Sequence, residues 1–139
     1  MNGVINQENI CDNMHHIKHS SEKYKIDSNL LISLFWVESN FNRSIKSYNG
    51  TACGIGQVVP KWSSDDKYFK NHFKRKKEKK RVCDKLNYDF EYSINESFRI
   101  LSIYKDFYKE KRLMLCGYNK GYRCNSNQDN KYLFKSGLV

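Results

Sequence analysis

The sequence predicts an all-α fold, with strand content marginal at most. Three observations carry that expectation. A single proline and seven glycines in 139 residues leave long stretches free for helix. Strict polar/apolar alternation is scarce, so little sheet is expected. Several segments instead repeat apolar side chains at helical spacing. Hydrophobic residues make up 39% and aromatics 14%, enough to exclude a disordered chain. A chain of this length fits one domain and can bury roughly two thirds of its unfolded surface.

Ile10, Met14, Ile17 and Tyr24 recur at helical spacing and predict a first helix from about Gln7 to Lys25. His15 and His19 lie one turn apart on it and could together hold a metal. No third ligand is in view, so they read as surface histidines and no metal is expected.

The run from Asp27 to Phe41 reads as a second, mostly buried helix, N-capped by Asp27 or Ser28. Leu31, Leu34, Phe35 and Glu38 share one stripe of it, while Asn29, Ser33 and Asn40 mark a narrow polar face. Glu38 is therefore a carboxyl group on an apolar face. Burial there disfavours the ionised form, and an acid that keeps its proton near neutral pH is what general-acid catalysis needs. The plain alternative is that Glu38 turns to water at the helix end or pairs with one of the 25 lysines and arginines.

Residues 42–53 are rich in Ser, Asn, Gly and Thr and read as loop. Gly54-Ile55-Gly56-Gln57-Val58-Val59-Pro60 follows. Its two glycines allow positive φ or close approach of a ligand. The third glycine and leading strand of a dinucleotide site are missing. Gln57 offers an amide that donates and accepts, which suits a sugar hydroxyl or an N-acetyl group. An ordinary turn with a solvated glutamine is the competing reading.

Trp62, Tyr68, Phe69 and Phe73 could form one face of a helix capped by Ser64 or Asp65. It leads into the basic run Lys74 to Arg81. That run reads as a solvated face or loop, with a phosphate-seeking patch as the alternative. Ser93-Ile94-Asn95-Glu96 has the form of a capping box. Ile94, Phe98, Leu101, Tyr104 and Tyr108 then predict a long amphipathic helix to about Lys111. A shorter helix from about Arg112 ends in Cys116-Gly117-Tyr118-Asn119-Lys120-Gly121. Gly117 suits close packing there, and Gly121 can close the helix.

The net charge of +10 favours an anionic partner: nucleic acid, lipid head groups or an acidic envelope polymer. A merely lysine-rich protein would carry the same charge. No apolar stretch approaches the roughly 20 residues of a membrane span. Residues 1–20 lack the order of a signal peptide. Cys11, Cys53, Cys83, Cys116 and Cys124 are an odd set, so one stays unpaired within a monomer, and one or two disulfides are possible.

Four motifs occur in order: Glu38-Ser39-x-Phe41, Ala52-x-Gly54-Ile55-Gly56-Gln57-x-x-Pro60, Ser93-Ile94 and Tyr118-Asn119-x-Gly121. Their order and spacing resemble the catalytic domain of soluble lytic transglycosylases, related in fold to goose-type lysozyme. The resemblance covers about residues 20–122 of a single domain, 1–139, and leaves 123–139 as a tail. It implies a lysozyme-like helical fold around a glycan cleft. It also implies cleavage of peptidoglycan between N-acetylmuramic acid and N-acetylglucosamine to give 1,6-anhydromuramoyl ends, with no cofactor. Carried over, Glu38 is the acid and then the base, and Ser39 sits beside it at the helix end as a substrate-binding residue. Gln57 contacts the sugar at the cleavage point. Tyr118 bonds near Glu38, and Asn119 helps fix that corner. Thr51, Ser93, Ser97 and Lys120 depart from the family pattern, where Gly, Asn, Gly and a small residue are usual. A monomer acting on the cell wall is expected, with Lys74 to Arg81 available to an anionic envelope polymer and no specific nucleic acid. Without a visible signal, a phage virion-associated enzyme or one released at host lysis fits, and so does a secretion- or conjugation-system enzyme.

Two-carboxylate glycosidases need a second acid roughly 5 to 9.5 Å from the first. Asp65 and Asp66 are candidates by sequence proximity alone and would give a hydrolytic lysozyme. A single acid suffices if the sugar's own C6 hydroxyl attacks. A non-enzymatic module binding glycan or DNA through the basic run is the alternative from another class.

Overall fold

The structure is a computed structural model that describes residues 11–40, 52–60 and 75–124. It is an all-α, lysozyme-like fold. The helices are α1 (Met14–Tyr24), α2 (Ser28–Ser39), α3 (Arg75–Tyr88), α4 (Phe90–Tyr108) and α5 (Lys111–Lys120), followed by a 3₁₀ turn, Gly121–Arg123. Among the described residues, β-pairing amounts to one isolated antiparallel bridge between Cys53 and Val58.

The long helix α4 organises the rest and packs against α5, α1 and α3. Its stripe of Ile94, Phe98 and Leu101 is fully buried. It meets Ile17 of α1, Leu31, Leu34 and Phe35 of α2, and Met114 and Leu115 of α5 in one core. A smaller cluster joins Cys53 and Val58 to Val82 and Leu86 of α3. That cluster seats the glycine turn on α3.

The ends of α2 follow from its sequence. The Asp27 carboxylate accepts from the Asn29 amide at 2.9 Å, as expected of an N-cap. Asn40 closes the helix in the left-handed region, which Asn tolerates better than most residues. Tyr24 ends α1, and Lys25 takes the left-handed cap there.

Two expectations need correction. The capping box at Ser93 does not form. α4 starts a turn earlier, where Asp89 accepts from the Tyr92 amide at 3.0 Å. Asp is as good a cap as Ser, and the earlier start lets Phe90 pack against the core. Glu96 is instead fully buried inside the helix and takes Arg99 as its partner at 2.7 Å. The second correction concerns residues 75–88, where the basic run opens a helix with Val82 and Leu86 as its buried residues. Lys77, Lys79, Lys80 and Arg81 are exposed on it, so the solvated-face reading stands for them. The helix expected around Trp62 to Phe73 lies outside the described residues.

Phe98 sits where α4 meets the rest of the core. Phe98→Ala should cost about 3–5 kcal/mol, read as a lowered urea midpoint with an unchanged slope.

Candidate active site

The site is built where the end of α2, the turn 54–57 and the end of α5 converge. Glu38 lies half-buried on the last turn of α2. Its neighbour Ser39 is 2% exposed and its hydroxyl is turned inward. It donates to the Ile55 carbonyl at 2.6 Å, with the Phe35 carbonyl at 3.1 Å as second acceptor. A hydroxyl has one proton, so the shorter bond to the turn dominates. Ser39 thus ties the helix that carries the acid to the turn that carries Gln57.

The turn itself is tightly held. Cys53 and Val58 exchange backbone hydrogen bonds at 2.9 Å each. Gly54 has φ +79°, and a Cβ there would lie 2.5 Å from the Leu86 carbonyl oxygen. Its amide donates to Asn87 Oδ1 at 2.8 Å. A Cβ on Gly56 would fall 2.2 Å from Ser97 Oγ and 2.9 Å from the Tyr118 hydroxyl. The close approach that Gly56 permits is therefore to the protein's own side chains. Gln57 also has positive φ, +49°, and its amide nitrogen donates to the Gly54 carbonyl at 3.0 Å. That bond pins the glutamine to the turn and fixes its side-chain direction.

Tyr118 closes the corner from α5. Its hydroxyl donates to the Gly56 carbonyl at 2.6 Å and lies 3.3 Å from Ser97 Oγ. Ser97 gives its own proton to the Ser93 carbonyl at 2.9 Å. Burial pushes the Tyr118 phenol well above the usual tyrosine range; the Ser97 contact opposes this, and the negative charges of Glu38 and Glu96 add to it. The acid and the phenol are therefore electrostatic neighbours, and the phenol stays a donor. Asn119 is exposed on the last turn of α5, beside Lys120.

Two disulfides brace this corner. Cys53–Cys83 fastens the turn to α3, and Cys116–Cys124 fastens α5 to the segment after its 3₁₀ turn. Cys11 is free and exposed, as an odd count requires.

The motif residues Glu38, Ser39, Gln57 and Tyr118 are thus brought together around one short turn. Asp65 and Asp66 lie outside the described residues. His15 and His19 are exposed, and among the described residues no group of three potential ligands could hold a metal. Sequence reasoning missed the pair between the buried Glu96 and the partly exposed Arg99, whose i, i+3 spacing was its only signal. It also missed Ser97 and Asn87 as supports of the turn. Ser93 Oγ is buried without a hydrogen-bond partner among the described residues. A separate groove of about 690 Å³ opens between the α1–α2 turn and the α4–α5 junction, lined by Lys25, Asp27, Leu30, Lys105 and Met114 among others. None of the motif residues lines it.

Helices packed around a corner where the end of α2, the glycine turn and the end of α5 meet make this a lysozyme-like fold. The chain belongs to the Transglycosylase SLT domain family, whose model matches residues 15–136. Its members are peptidoglycan lytic transglycosylases, lyases that act on glycans of the cell wall, and that is the activity of this chain. No curated protein and no solved structure matches it. No described helix is long and apolar enough to cross a membrane.

Tyr118→Phe removes the donor to a buried carbonyl and should cost about 1–3 kcal/mol, measured by urea denaturation. The sign with pH follows from the raised phenol. Unfolded tyrosine ionises near pH 10. The Tyr118 contribution is complete below that and falls as pH climbs beyond it, because the folded form retains the proton. The Phe variant should lack this part of the alkaline destabilisation. Cys53→Ser with Cys83→Ser opens a link between residues 30 apart and should lower stability by about 3–4 kcal/mol on the loop-entropy model.

Proposed function

We propose that Glu38 is the single general acid and base of a non-hydrolytic cleavage of the MurNAc–GlcNAc β-1,4 bond. Glu38 protonates the glycosidic oxygen as the C1–O bond breaks. The C6 hydroxyl oxygen of the same muramoyl residue bonds to C1, and the Glu38 carboxylate takes the C6 proton. The product is a 1,6-anhydromuramoyl end, and no water is consumed. Intramolecular attack gains from the geometry of a bound ring.

The observation that carries this reading is the convergence of Ser39 on Ile55 and of Tyr118 on Gly56. Those two bonds hold the turn bearing Gln57 beside the helix end bearing Glu38. Gln57 then contacts the sugar at the cleavage point. Tyr118 and Asn119 form the α5 side of the cleft, and Ser39 acts as a positioning residue through the turn. The chain works as one domain and as a monomer on the wall. The exposed cations of α3, within the run Lys74 to Arg81, would meet an anionic envelope polymer.

Purified protein on isolated sacculi tests the proposal. The expected muropeptides are lighter by one water than those carrying reducing ends, as weighed by mass spectrometry. Reducing ends would mean hydrolysis and a second carboxylate. Glu38→Gln should lower cleavage by about 10²–10⁴-fold or more with unchanged circular dichroism. Full activity in that variant would remove Glu38 from the mechanism.

A further inference from the structure

The outer face of α4 and the 3₁₀ turn after α5 share an aromatic cluster that the cleavage reaction does not use. Phe107 is 58% exposed and Tyr122 59% exposed. Their rings meet edge to face with centroids 4.8 Å apart. Tyr104 supports Tyr122 from below at 5.2 Å, and Tyr108 supports Phe107 at 4.8 Å.

This cluster is rigidly held. The Tyr108 hydroxyl donates to the Gly121 carbonyl at 2.8 Å and accepts from the Cys124 amide at 3.1 Å. The Cys116–Cys124 disulfide closes the same segment. Gly117 lets α5 lie directly on Tyr104 and Tyr108, since a Cβ there would be 2.8 Å from each ring. Exposed aromatic rings anchored this firmly lose little freedom when a ligand arrives.

The size of the patch selects the ligand. A fully buried aromatic side chain covers about 150–250 Å², so the exposed parts of Phe107 and Tyr122 offer on the order of 250 Å² together. A stable protein partner needs about 800 Å² per side. Ile103, 41% exposed one turn before Phe107, extends the apolar face along α4, and Asp106, Lys109 and Lys120 are exposed nearby in sequence, so the apolar surface stays well below the area of a protein interface. Its area suits the face of a pyranose ring, whose C–H bonds stack on aromatic carbon while its hydroxyls meet the rim. Tyr122 lies in the 3₁₀ turn Gly121–Arg123 that follows α5, the helix that carries Tyr118.

We propose that Phe107 and Tyr122 form an accessory glycan-binding platform that holds the sugar strand by stacking, outside the cleavage corner. This rests on the reading of the chain as a glycan-cleaving enzyme. Phe107→Ala with Tyr122→Ala changes only exposed side chains and leaves Glu38, Gln57 and Tyr118 in place. The double variant should bind isolated sacculi about tenfold more weakly, the scale of about 1.4 kcal/mol. It should cleave short soluble muropeptide fragments at the wild-type rate. In the Glu38→Gln protein, titration with a GlcNAc hexamer should shift the aromatic NMR signals of Phe107 and Tyr122. Unchanged sacculus binding by the double variant overturns the platform. So does a concentration-dependent dimer, seen by sedimentation in the wild type and absent in the double variant, because the patch would then be a self-interface. Failure of the wild-type protein to release any muropeptide would count against the cleavage reading alone. The binding loss would still support the platform.

Discussion

One hydrogen bond closes the architecture of the site: the Tyr118 hydroxyl on the Gly56 carbonyl, joining residues 62 apart in sequence. It holds only if Gly56 lacks a side chain, if Ser97 is small, and if α5 lies close against α4. Gly117 supplies the last condition. The bond therefore reports on three packing constraints at once. A buried carbonyl left without this donor would cost more than the bond itself contributes, so the corner is set in an all-or-none way. Ser39 repeats the device from the opposite side, through the adjacent Ile55 carbonyl.

The electrostatics of the corner are crowded with acids. Glu38 and the fully buried Glu96 both disfavour a charge on Tyr118. Arg99, bound to Glu96 at 2.7 Å, supplies the compensating cation. Arg99 remains partly exposed while Glu96 is fully buried, so removing Arg99 would leave a buried carboxylate without this partner, which is costly. The pair thus fixes where negative charge sits beneath the turn more than it strengthens the fold.

Much of this was legible in the sequence because it depends on local pattern. The apolar stripe of α2, the acid on it, the paired glycines and the Tyr-Asn end of α5 are all short-range signals. The Asp27 cap was legible for the same reason. What failed was a choice between equal local signals. Asp89 and Ser93 are both good caps, and only the packing of Phe90 decides between them. The helix α3 was hidden because, among its described residues, Val82 and Leu86 alone are buried beside a run of lysines. The cysteine pairing could not be read, since it depends on which side chains the fold brings within bonding distance. The roles of Ser97 and Asn87 are tertiary in the same sense: each acts on the turn only after α3 and α4 have packed.

The two cystine bridges place their anchors three residues before Gly56 and two residues before Tyr118, on either side of the bond that closes the corner. Thiol buffers of a reducing cytoplasm keep such pairs open. In an oxidising compartment both flanks of the corner are covalently fastened, whereas in the reduced chain the same corner rests on its hydrogen bonds and packing alone.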